Sequence, residues 1–92
     1  MVASKAEQIL ERIQESDNDK EYMLVYSFGL KSPPIRFYDN LKRLEKKLKL
    51  QRLVKGCIIC KGIRTTRALI ELCKEYHARY WVFEIKKIEE ES

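Results

Sequence analysis

The sequence predicts a small α/β protein: one domain over residues 1–92, with an N-terminal helix at 1–17, a β-α-β-α-β core at 22–88 and an acidic tail at 89–92. Three observations predict it. The run YMLVYSFGL at 22–30 and the stretch from Arg52 to Cys60 are apolar at odd and even positions alike, as strands buried on both faces are. Each is followed by a segment whose apolar residues recur with the period of a helix. Every strand-to-strand link therefore holds a helix long enough for a crossover, which predicts a mostly parallel three-stranded sheet.

Ser4-Lys5-Ala6-Glu7 fits a capping box, in which Ser accepts from a backbone N–H three residues on. Ala6, Ile9, Leu10 and Ile13 then fall on one helical face, and Ser16-Asp17-Asn18-Asp19 favours a turn. After the first strand, Gly29 and Lys31-Ser32-Pro33-Pro34 break the chain. Ser32 is placed to cap the next helix, because proline is tolerated in a first turn whose N–H groups lack partners. That helix runs from about Ile35 to about Lys49, with Phe37, Leu41, Leu44 and Leu48 on one stripe. Lys61-Gly62 turns the chain after the second strand. Thr65 or Thr66 caps a helix reaching about His77, and Tyr80-Trp81-Val82-Phe83 begins the third strand. A ferredoxin-like α+β arrangement is the alternative, and it requires a hairpin between the helices.

Charge is unevenly placed. Segment 31–67 holds twelve Lys and Arg against Asp39 and Glu45, a net +10 in a chain whose total is +5. Arg36, Lys42, Arg43, Lys46, Lys47 and Lys49 lie opposite the apolar stripe of the 35–49 helix. Such a surface attracts polyanions, with affinity driven by counterion release. Tyr38 could add base stacking, although aromatics in a small core are more often packing.

All three cysteines and the single histidine sit between 57 and 77. Cys57, Cys60, Cys73 and His77 are spaced C-x2-C-x12-C-x3-H, which resembles a small C2HC zinc finger. Two points favour core thiols instead. Residues three apart on a continuous strand point to opposite faces, so Cys57 and Cys60 could not share an ion without a tight knuckle. With Cys73 as first helix ligand, the base-reading positions become Thr66, Leu69 and Leu72, and leucines do not hydrogen-bond to bases. The reading taken is therefore no metal and no cofactor, with that zinc set as the alternative. An odd count of cysteines also argues against a disulfide framework.

In parallel sheets, ligands bind beyond the carboxyl ends of strands, where free amides at helix N-termini favour anions. Two loops fit: Ser27, Gly29, Lys31 and Ser32 in the first, and Lys61, Gly62, Arg64, Thr65, Thr66 and Arg67 in the second. Neither carries a nucleotide-binding fingerprint. Segments 26–31 and 60–65 lack Asp and Glu, so no carboxylate cluster stands ready to hold a catalytic metal, and His77 is placed to close a helix. The expectation is a non-catalytic domain that binds DNA or RNA through phosphates. Lys31, Arg36, Lys42, Arg43, Lys46, Lys47, Lys49, Lys61, Arg64 and Arg67 would supply the contacts. A module for a small phosphorylated ligand or nucleotide at the two loops is one alternative. A protein-interaction module that forms a homodimer is another. No apolar run approaches the roughly 20 residues of a membrane helix, and MVASKAEQILERIQ reads as an amphipathic helix, not a secretory signal. The location expected is intracellular, in the cytoplasm.

Overall fold

A two-residue turn decides the topology. Lys55-Gly56 splits the expected single strand 52–60 into β2 (Leu50–Val54) and β3 (Cys57–Lys61). Gly56 has φ 91°, in the left-handed region that favours glycine, and its carbonyl accepts from Tyr26 N–H at 2.9 Å. The computed structural model describes residues 4–13 and 17–86. Within them lie α1 (Lys5–Arg12), β1 (Glu21–Ser27), α2 (Ile35–Lys47), α3 (Ile63–Glu75) and β4 (Arg79–Ile85) around that hairpin. The tail expected at 89–92 lies outside the described residues.

The four strands form one sheet in the order β2-β3-β1-β4, and every neighbouring pair is antiparallel. The expected mostly parallel three-stranded sheet is therefore corrected to an α+β domain with an antiparallel four-stranded sheet. The crossover rule itself holds. Antiparallel pairing of β3 with both β1 and β2 leaves β1 and β2 parallel, as a helical connection requires, but β3 lies between them. Likewise β1 separates the parallel pair β3 and β4. From β1 onward the order is β-α-β-β-α-β, which is the ferredoxin-like connectivity.

Alternation along the strands assigns the faces. Leu24, Tyr26, Ile58 and Cys60 are buried and join one core with Phe37, Leu41 and Leu44 of α2 and Ala68, Leu69, Leu72 and Cys73 of α3. Phe37 anchors α2 through edge-on ring contacts with Phe28, Tyr38 and Tyr76. Helix α1 closes this layer from outside, burying Ala6, Ile9 and Ile13. Ser4 caps it as expected, since Glu7 N–H donates to Ser4 Oγ at 3.2 Å. Buried Asn40 ties the three helices together: its Oδ1 accepts from Ala6 N–H, and its Nδ2 donates to Arg36 O and to Tyr76 Oη. The opposite face of the sheet carries Met23, Val25, Cys57, Ile59, Trp81 and Phe83, with Trp81 and Phe83 still 48% and 49% exposed.

Candidate nucleic-acid interface

The basic helix forms as its period predicts. Arg36, Lys42, Arg43, Lys46 and Lys47 are exposed on α2, opposite buried Phe37, Leu41 and Leu44. Among the described residues none of these five makes an ion pair. The pairs that do form are Lys5 with Glu75, Lys20 with Glu84, Arg52 with Glu45 and Lys74 with Glu71. From Arg36 to Lys47 the helix advances about 16 Å, a length over which duplex DNA carries about ten charges.

Two open clefts extend this stripe. At the β2 edge, Lys42 meets Arg52 and Lys55 around a volume of about 490 Å³ that Tyr26, Tyr38 and Val54 also line. No carboxylate lines it, although Glu45 Oε2 approaches Arg52 Nε at 3.8 Å. Burial, reinforced by neighbouring Tyr38, pushes the Tyr26 phenol up to about 12, so it remains neutral beside the cations. At the other end of α2, Lys47, Lys49 and Arg64 share a cleft of about 380 Å³ with Leu10, Asp17, Leu48 and Thr65. Lys61 lies further round that end, where it lines a third cleft with Lys20, Lys49, Asp17, Asp19 and Glu21.

Arg52 and Lys55 enter this band although the sequence reading places them inside a strand. The signal that finds them is Lys-Gly at 55–56, which puts Lys55 at a hairpin tip.

The two loops do not converge. Ser27 ends β1 opposite Arg79, whereas Lys61 pairs with Glu21 at the start of β1. Six residue steps separate these ends, about 20 Å along the strand. In the first loop, Ser27 Oγ accepts from Gly29 N–H at 3.0 Å, and Gly29 has φ 66°. Ser32 does not cap α2; Pro34 holds that position and gives no side-chain hydrogen bond. Lys31 and Ser32 are exposed.

In the second loop the helix N-terminus is already served from within the chain. Asn18 Oδ1 accepts from Ile63 N–H at 3.0 Å, and Asp17 Oδ1 accepts from Arg64 N–H at 3.4 Å. A carboxylate thus sits where a bound phosphate was expected. Gly62 is the N-cap, with φ 88°, and a Cβ there would collide with the Asp17 side chain. Thr65 and Thr66 lie inside α3 and are buried; Thr66 Oγ1 donates to Gly62 O at 2.9 Å. Arg67 is partly buried on α3.

Cys57 and Cys60 lie on opposite faces of β3, Cys57 partly buried on the open face and Cys60 in the core. Burial pushes the thiols of Cys60 and Cys73 up to about 12. His77 is exposed and takes φ 60° just beyond α3, the left-handed residue that closes the helix. Among the described residues no three His, Cys, Asp or Glu side chains gather as a metal site. No helix among them is long and apolar enough to cross a membrane. No protein-family profile, curated protein or solved structure matches this chain.

Proposed function

We propose that this chain binds nucleic acid through its phosphates, along a band centred on the exposed face of α2. One observation carries the reading: Arg36, Lys42, Arg43, Lys46 and Lys47 stand exposed, make no ion pair among the described residues, and run at both flanks into clefts that further cations line. Lys49, Arg52, Lys55, Lys61 and Arg64 extend the field, and Lys31 lies in the loop before α2. Phosphate contacts position such a protein without reading sequence, so the band takes DNA or RNA. The ligand and three free thiols both fit an intracellular, cytoplasmic location.

The test is a salt titration of binding to duplex and single-stranded oligonucleotides, read by fluorescence anisotropy. Affinity should fall with a log–log slope of about 0.7–0.9 per phosphate neutralised. Lys46→Glu with Lys47→Glu should lower both affinity and slope, at a stability cost of no more than about 1–2 kcal/mol, since both side chains are solvated but stand in the last turn, where the helix dipole favours cations. No binding at low salt would leave the band an ordinary solvated surface.

The Lys42–Arg52–Lys55 cleft favours a second reading, a module for one small phosphorylated ligand. In that case a mononucleotide saturates binding, polymer length has little influence, and Arg52→Ala with Lys55→Ala removes binding while the Lys46/Lys47 changes do not.

A further inference from the structure

We propose that the uncovered sheet face docks on a second copy of this chain, giving a two-fold dimer whose basic helices lie on its two outer sides. The register arranges the face in rows. Phe83, Met23, Ile59 and Gln51 form one row, and Trp81, Val25 and Cys57 form the next. An antiparallel sheet with one face in water shows apolar and polar residues in alternation. Here the outward positions are almost as apolar as the inward ones, in a chain that is 36% charged.

Size is consistent with a dimer. Four strands about 4.8 Å apart, rising about 3.4 Å per residue, span roughly 400 Å² in projection. A symmetric pair removes twice that projection, and more of the rougher accessible surface, which approaches the ~1,200 Å² of a small specific interface. The face is also self-complementary. A two-fold axis lying in the interface across the strands places each row against the other row of the partner. Trp81 then meets the partner's Phe83, Val25 meets the partner's Met23, and Cys57 meets the partner's Ile59. The same operation brings Arg79, at one end of β4, to the end where the partner's Glu21 stands beside Ile85.

A nucleic acid fits this face less well. Trp81 and Phe83 offer bases stacking only along the β4 edge, the central positions Met23, Val25, Cys57 and Ile59 offer none, and the cations on the face, Lys61 and Arg79, stand at opposite ends.

Sedimentation equilibrium on the full chain across micromolar concentrations tests the proposal. Wild type should sediment at twice the chain mass. Trp81→Ser with Phe83→Thr should weaken association about 100-fold or more, since large aromatic side chains carry most of the energy of such contacts. Arg79→Glu should weaken it, and adding Glu21→Arg should restore it, a rescue that a folding defect could not mimic. Lys46→Glu with Lys47→Glu should leave the dimer intact, which keeps this test separate from that of nucleic-acid binding. A wild-type monomer at these concentrations overturns the proposal. So does a dimer indifferent to both sets of changes, or a monomer whose Trp81 fluorescence is quenched by a single-stranded oligonucleotide, which would assign the face to bases.

Discussion

On the helix side of β1, Leu24 and Tyr26 are 0% and 7% exposed; on the other side of the same strand, Met23 and Val25 are only partly buried. β3 repeats the contrast, with Ile58 and Cys60 in the core and Cys57 and Ile59 outside it. In β4, Trp81 and Phe83 stand half-exposed on the outer side while Val82 packs inward. The two faces are made of the same residue types and differ in what covers them. A strand's composition thus reports how many of its faces are suited to burial, and leaves open whether the same chain supplies the cover. Inward, three helices do; outward, we assign the task to a second copy.

The largest effect expected from this contrast comes from charge. Leu24→Asp would bury an unpaired carboxylate in a closed core and cost on the order of 4 kcal/mol or more. Met23→Asp, next to it in sequence, would place the same carboxylate on the open face. It should cost about 1 kcal/mol in the monomer while abolishing association. Urea denaturation of both variants at low concentration reads the difference. Equal losses would mean that the open face is covered within one chain.

Thiols give the next effect. Burial raises Cys60 and Cys73 from 9.0 to about 12 and Tyr26 from 10.0 to about 12. A raised folded value means that the unfolded chain loses protons first as pH climbs. The stability is therefore complete below about pH 9 and declines between pH 9 and 12, by on the order of a few kcal/mol. Chemical denaturation across that range should show the decline. At neutral pH a thiol reagent should modify Cys57 in the native chain and reach Cys60 and Cys73 only on unfolding. If the dimer forms through this face, Trp81→Ser with Phe83→Thr should speed modification of Cys57 and leave the two core thiols protected.

What the sequence made legible was what depends on local period. Helix α2 falls within about two residues of its expected limits and α3 ends about two residues before His77, because a 3.6-residue stripe marks Phe37, Leu41 and Leu44 as well as Leu69, Leu72 and Cys73; the start of α3 was missed, since Gly62 and not Thr65 or Thr66 holds the N-cap. The exposed cations of α2 were legible for the same reason. The hairpin was not, because its turn occupies only Lys55 and Gly56 inside an apolar run, and a single glycine there also fits a strand irregularity. Strand order followed that error. The capping of α3 by Asp17 and Asn18 spans 47 and 45 residues of sequence, so no local pattern announces it. Apolar character on both sides of the strands led to an expectation of burial on both faces; among the described residues only the helix side is covered, and Trp81 and Phe83 on the other side stay half-exposed.

The smallest change carries the sharpest test of whether a second copy covers that side. Val25→Thr keeps the side chain's shape and its preference for a strand, and adds one hydroxyl on the open face. In a monomer the hydroxyl is solvated, so stability should stay within about 0.5 kcal/mol of wild type. In a dimer the hydroxyl is buried against apolar side chains of the partner and lacks an acceptor, at a cost of about 1–3 kcal/mol per site. Binding that occurs only in the folded state makes apparent stability depend on concentration. Wild type and Val25→Thr should therefore melt together when dilute and separate as concentration rises, with wild type gaining more. The control is Ile58→Thr on the helix side, whose penalty should be the same at every concentration. Two melting curves that stay parallel for Val25→Thr would mean that nothing covers the outer face in solution.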